Sequence, residues 1–299
     1  MRLIGKIFGV FLDAYWRFLA QDGWAIASYI GLSALTSLFP FLIFVTALAG
    51  FFGTTDLAEE AARLILAVWP REVAGPIAGE VQNVLTAPRG GLLTIGAALA
   101  LYFASGAIEA ARVGLNRAYG SVETRPWWLL RLESIAFVVI AAFGLLALAF
   151  LVVLGPLIWD TIVRNVPELA PLGFLITFIR LGAAVVLMAI TLFLAHILLP
   201  RGRRRLIDLA PGVALTFTAC IVFGEGFGAY LSEFARSYVS TYAGLASVMI
   251  ALVFLYFMAG LFIYGAELNA AIMRARERGA TSSPPRSHPP AFSSQASAR

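Results

Sequence analysis

From Gly244 to Tyr264 the chain carries no charge and almost nothing polar. A helix of about 20 residues rises about 30 Å, the thickness of the hydrocarbon core of a bilayer. This stretch, set within Ser240 to Arg274, therefore reads as a transmembrane helix, and the other apolar runs are read relative to it. It closes on Gly265-Ala266-Glu267-Leu268-Asn269 and then on Arg274, Arg276 and Arg278. By the positive-inside rule those arginines mark the cytoplasmic end.

Composition makes this span one of several. Of the 299 residues 60% are hydrophobic and only 13% charged, with a mean hydropathy of +0.86, more apolar than a soluble domain of this length can bury. The basic excess is almost all arginine, Lys6 being the only lysine. A basic excess can signal nucleic-acid binding, but here the arginines stand at the ends of apolar runs. Membrane topology accounts for them, and no nucleic-acid partner is expected. One cysteine, Cys220, excludes an internal disulfide. Two histidines, His196 and His288, leave no basis for a Cys/His metal site. No cofactor is expected.

Taken in order, residues 1–22 carry Ile4, Phe8, Phe11, Leu12, Tyr15 and Phe18 at helical spacing, with Arg2, Lys6, Asp13 and Arg17 mostly opposite. That pattern suits a helix in the cytoplasmic headgroup layer or one packed on the bundle. The transmembrane domain occupies 23–278, with spans expected at 24–52, 91–115, 132–159, 172–199, 207–233 and 243–272. Pro40, mid-way along the first, predicts a kink, with Ser33, Thr36 and Ser37 available for the freed carbonyl. Residues 53–90 mix acids, arginines and apolar residues between prolines, and read as short amphipathic helices on the external surface. Arg117, Arg125 and Arg131 make the loop 116–131 cytoplasmic. The loop around Asp160, Arg164 and Glu168 is near neutral and external. Arg201, Arg203, Arg204 and Arg205 form the densest basic cluster and must be cytoplasmic, while Arg236 falls in a short external loop. The result is an all-α polytopic protein with six transmembrane helices, N-in and C-in. Residues 279–299, rich in Ser, Pro and Ala, read as a disordered cytoplasmic tail.

Several passages, in order, resemble the YihY/BrkB family of bacterial inner-membrane proteins. They are Asp22-Gly23-Trp24, Ser37-Leu38-Phe39-Pro40-Phe41-Leu42, Ala104-Ser105-Gly106, and Leu115-Asn116-Arg117-Ala118-Tyr119. Leu199-Pro200 ahead of the arginines, Gly212, Phe227 with Tyr230, Tyr242-Ala243-Gly244-Leu245 and Gly265-Ala266-Glu267-Leu268-Asn269-Ala270 complete the set. The likeness spans about residues 20–273. Ala243 interrupts the usual Tyr-Gly, and Val253-Phe254-Leu255-Tyr256 lacks a tryptophan common there. The resemblance implies an all-helical inner-membrane protein linked to envelope integrity and serum resistance. It also brings an old label, ribonuclease BN. The residues argue against that activity here: nuclease chemistry needs paired acid–base groups or a carboxylate cluster for metal, and neither is evident. No Walker loop, G-x-S-x-G or H-E-x-x-H occurs either.

Two groups of residues are candidates for function. Glu109, Arg112, Asn116, Arg117, His196, Glu267 and Asn269 lie near the cytoplasmic ends of the spans. They read either as interfacial ion pairs or as a polar vestibule in which arginines receive an anionic headgroup or solute. Glu267 is expected near Arg112 or Arg117. Arg180 and Glu225 lie deeper, at matching depths on neighbouring antiparallel helices, and are expected to pair, since a lone intramembrane charge is costly. The glycines around Glu225 read as a Gly224/Gly228 packing face or as a locally opened helix. Transport of lipid or a small anionic solute is the first functional reading, and a non-transporting scaffold that organises the envelope is the alternative. An enzyme is disfavoured.

Overall fold

The computed structural model describes residues 2–51, 55–67, 74, 78, 93–165, 168, 173–242 and 246–281. Among the described residues the long elements are all helices: α1 (Arg2–Ala20), α2 (Gly23–Phe51), α3 (Thr55–Ala67), α4 (Leu93–Ala104), α5 (Gly106–Ala118), α6 (Trp127–Asn165), α7 (Phe174–Leu198), α8 (Leu206–Tyr242) and α9 (Ala246–Thr281). Six stretches are long and apolar enough to cross a membrane: Gly23–Ala49, Gly96–Ala118, Trp127–Leu151, Leu181–Leu198, Leu206–Glu233 and Val248–Arg278. The expected six-span, all-α architecture is therefore present.

The helices run on where the apolar signal stops. The helix of the third span begins at Trp127, not 132, and continues to Asn165, although its membrane-length apolar stretch ends at Leu151. The fifth reaches Tyr242, so Arg236 sits in a helix and not in a loop. The last continues to Thr281, past the 272 boundary and into the expected tail, whose remainder, 282–299, lies outside the described residues. Arginine, glutamate and alanine are good helix formers, so charge ends a membrane span without ending a helix.

The second span, conversely, is broken. Ser105 separates α4 from α5, and Ser37 of α2 bridges the break: its hydroxyl donates to the Phe103 carbonyl (3.2 Å) and accepts from the Ala107 N–H (3.1 Å). Thr36 donates to Leu32 and Ser33 carbonyls. These two hydroxyls are thus engaged away from the carbonyl that Pro40 frees, contrary to expectation, and α2 continues through Pro40.

α9 is the hub, packing against α1, α2, α5 and α8. Phe18, Ile26, Ile30, Leu115, Leu199 and Ile263 form the core at the arginine-bearing end, henceforth the basic end. Toward the other end, α3 is amphipathic as expected but does not simply lie on the surface. Ala61 and Ala62 are buried, against Val45 and Ala149 on one side and against Leu231 and Phe254 on the other. The rest of 53–90, apart from Ala74 and Ala78, lies outside the described residues. α1 packs one face on the bundle and leaves apolar side chains on the other exposed. Ala14 packs on Leu268 and Ala271, while Phe8, Leu12, Tyr15 and Trp16 stay exposed. With Trp127 and Trp128, also exposed, they supply the aromatic side chains that favour a membrane–water interface.

The crossing of α8 and α9 is set by two glycines. A Cβ on Gly212 would lie 2.1 Å from the Gly265 carbonyl oxygen, and one on Gly265 would lie 2.0 Å from Thr216 Oγ1. Only glycine allows backbones this close. Of the glycines around Glu225, Gly224 and Gly226 show no close packing among the described residues: a Cβ on either would meet nothing within 4 Å.

A polar candidate site at the basic end

The turn from α1 to α2 starts the site. Asp22 adopts a left-handed φ of 54°, a region Asp tolerates better than most residues. Its carboxylate takes the Arg117 guanidinium at 2.7 Å. Gly23 leaves room for the Phe18 ring, which a Cβ would approach to 2.4 Å, and Trp24 stands edge-on to that ring at 5.0 Å. Gln21, with its amide oriented to satisfy both neighbours, donates to the Arg117 carbonyl (2.6 Å) and to Glu267 Oε1 (3.3 Å).

Arg125, in the α5–α6 link, is the centre of an ion-pair network. It binds Glu123 through two nitrogens (2.9 and 2.7 Å), Glu133 at 3.0 Å and the Leu199 carbonyl at 2.8 Å. The charge-assisted bonds from Arg125 hold the Glu123 carboxyl down at about 2, and the same bonds raise the Arg125 pKa. Arg112, 4% exposed, reaches the Leu130 carbonyl (2.8 Å), Ser134 and Glu133 (3.8 Å). Glu109 pairs with Arg131 at 2.7 Å, and that guanidinium also lies 3.7 Å over the Tyr102 ring. Asn116 joins two links: it donates to Glu123 (3.0 Å) and accepts the Arg201 N–H (2.8 Å).

On the opposite face of α9 from Glu267, Asn269 is fully buried. It accepts the Gly212 N–H (2.7 Å) and donates to the Tyr119 hydroxyl (3.3 Å). Arg204 lies 4.0 Å over the Tyr119 ring and donates to Ser121 (2.8 Å). Burial raises the Tyr119 pKa and lowers that of Arg204. His196 is wedged between the rings of Tyr119 and Phe262, with Nδ1 on the Leu192 carbonyl at 2.8 Å.

The sequence candidates at this end are thus brought together, but not as expected. Glu267 is 1% exposed and makes no ion pair with Arg112, Arg117 or any other arginine among the described residues: the two guanidiniums turn to Glu133 and Asp22 instead. The vestibule arginines are consumed within the protein. What stands out is a set of buried polar atoms that find no hydrogen-bond partner among the described residues, including Glu267 Oε2, His196 Nε2 and Thr216 Oγ1. Tyr119, Glu123, Arg125, Glu133 and Arg204 are site residues that the candidate set missed. Glu123, an acid in an otherwise basic link, was the available signal. Glu225 is exposed on α8, and the Arg180 side chain that should pair with it lies outside the described residues. The described residues hold no group of three or more His, Cys, Asp or Glu able to take a metal ion.

The passages that build this end match a known family. The model of the virulence factor BrkB family covers residues 14–289. The chain belongs to the BrkB family. A relative from Bacillus subtilis (strain 168), the putative ribonuclease-like protein YfkH, is 26% identical over 273 residues, 89% of this chain and 95% of the relative. No solved structure matches. The family match takes in the links and helix ends that converge here: Asp22-Gly23, Asn116-Arg117, Leu199-Pro200, Gly212 and Glu267-Leu268-Asn269.

Proposed function

We propose that this BrkB-family protein is a multi-pass protein of the bacterial inner membrane that moves a lipid or a small anionic solute, with Glu267 at the polar point of the path. The observation that carries the reading is the Glu267 carboxyl itself, 1% exposed and with one oxygen that finds no hydrogen-bond partner among the described residues. Inside a closed, purely structural bundle such a group is costly, and a passing polar group or water relieves the cost. The arginine distribution supports placing the basic end and both termini in the cytoplasm. Reporter fusions at Glu123 and Arg203 are expected to read cytoplasmic, and fusions at Pro76 and Val166 external.

The deciding experiment is a proteoliposome assay with fluorescent phospholipids and small organic anions, comparing wild type with Glu267→Gln. We expect movement above protein-free vesicles that falls in the variant at equal folded yield. Movement indistinguishable from empty vesicles for every probe overturns the reading.

The second reading, a sealed scaffold of the envelope, is favoured by the Arg125 network, which leaves no arginine of the expected vestibule free for a ligand. A ribonuclease role, suggested by the relative's name and by the old family label, finds no support in the described side chains. RNA hydrolysis by the purified protein, lost on Glu267→Gln, would restore it.

A further inference from the structure

Away from the polar site, α1, α8 and α9 enclose an apolar groove of about 470 Å³, within the roughly 300–1,000 Å³ typical of ligand sites. Val10 and Phe11 of α1 form one wall, Ala214 and Leu215 of α8 a second, and Leu268 and Ile272 of α9 the third. Pro211 and Thr218 complete the α8 wall. The groove is partly open.

One end of the groove is charged. Continuing the α9 wall by one helical turn from Ile272 leads to Arg276, and stepping back one turn from Pro211 on α8 leads to Asp208. These two residues are ion-paired. Arg276 remains 57% exposed in its side chain. Arg205, whose carbonyl accepts the Asp208 N–H at 3.0 Å, is exposed as well. The Arg276–Asp208 pair is neutral and Arg205 beside it leaves one net positive charge, so a partly open apolar slot in a membrane-spanning chain is complementary to an acyl chain in the slot and an anionic head at its charged end.

We infer that this groove is a specific site for an anionic glycerophospholipid of the surrounding bilayer, one acyl chain lying between α1, α8 and α9 and the phosphate held near Arg276. The site goes beyond the translocation reading and stands whether or not the protein moves anything, since a resident lipid that seats α1 on the bundle uses the same contacts.

The test is photocrosslinking of the full-length protein in vesicles. These contain phosphatidylcholine doped with either phosphatidylglycerol or phosphatidylcholine bearing a diazirine in one acyl chain, and adducts are mapped by mass spectrometry. Labelling by phosphatidylglycerol is expected at Val10, Leu215, Leu268 and Ile272 in excess of labelling at Ile221 and Val222, exposed on the same helix α8. Unlabelled phosphatidylglycerol should compete it away. Arg276→Gln should reduce the preference over phosphatidylcholine about fivefold, the effect of one arginine at an anionic headgroup. Ala214→Trp, which fills the groove, should abolish the excess. If that variant does not fold, the competition on wild type decides. Equal labelling of groove and control residues, an excess without headgroup preference, or groove residues left unlabelled by every lipid, as a second copy of the chain seated there would leave them, would each overturn the inference.

Discussion

Arg125 and Glu267 sit at the same end of the bundle and are treated in opposite ways. The guanidinium of Arg125 has its donors on Glu123, Glu133 and the Leu199 carbonyl, tying the α5–α6 link to the start of α6 and the end of α7. Glu267, on the central helix, is more deeply buried, and among the described residues it has a weak contact from Gln21 and one oxygen without a hydrogen-bond partner. Both are single charged residues near a membrane interface, so hydropathy alone ranks them alike. The saturated network is what a bundle needs to keep its helix ends together, whereas an unsaturated acid contributes little to closure. On our reading, stability is carried at the first place and activity at the second.

The largest effect should therefore come from breaking the network. Arg125→Gln leaves Glu123 and Glu133 facing each other with their shared cation gone. The three side chains are 20–23% exposed, so the cost lies between the roughly 1 kcal/mol of a surface pair and the roughly 3–5 kcal/mol of a fully buried one, about 2 kcal/mol. We expect a large drop in folded yield and in the thermal midpoint in detergent. A midpoint within a degree or so of wild type would show that the network is ornamental. Next comes Gly212→Ala. Its Cβ would fall 2.1 Å from the Gly265 carbonyl, so α8 and α9 must separate, at the roughly 1–3 kcal/mol typical of overpacking. Gly224→Ala, where the added Cβ meets nothing, is the matched control and should be neutral or slightly stabilising. Equal loss at both positions would refute the assigned crossing point.

Glu267→Gln should invert the pattern seen at Arg125. The amide is isosteric and neutral, so stability should change by less than about 1 kcal/mol while any transport falls. A variant as unstable as Arg125→Gln would place Glu267 among the structural residues and erase the contrast.

The parts of this architecture legible in the sequence are those governed by bilayer thickness. Six apolar runs long enough to span could be counted directly, and the amphipathic α1 announced itself by its spacing. Helix ends were not legible, because Arg236, Arg274 and Arg276 stop a hydropathy signal and yet continue a helix. The break at Ser105 depends on Ser37, 68 positions earlier in the chain, which no local pattern reports. Likewise Gly224 and Gly228 were visible as a spacing on one helix, while Gly212 and Gly265 matter only as a pair across two. The candidate site was half legible. Arg112, Asn116, Glu267 and Asn269 do converge at one end, but which charge meets which was decided by Glu133 and Asp22, acids too ordinary in context to be singled out.

The smallest effect, and the most specific to the paired side of the comparison, is a pH dependence. The bonds from Arg125, first among the causes, hold Glu123 at about 2 against an ordinary value of 4.5. A carboxyl with its folded value depressed contributes stability wherever the unfolded chain is already ionised, that is above about 4.5, and loses it as pH falls through the folded value. Between those two values the unfolded state takes up a proton that the folded state refuses, so stability declines steadily with acidity. Glu123→Gln removes the group from this linkage. The difference in midpoint between wild type and Glu123→Gln should therefore be constant from neutral pH down to about 4.5, shrink across the window, and largely vanish near 2. A difference that stays constant through the window would mean that the Arg125 bond is no stronger in the folded protein than a solvated ion pair. Arg125 would then anchor its helices through Glu133 and the Leu199 carbonyl alone.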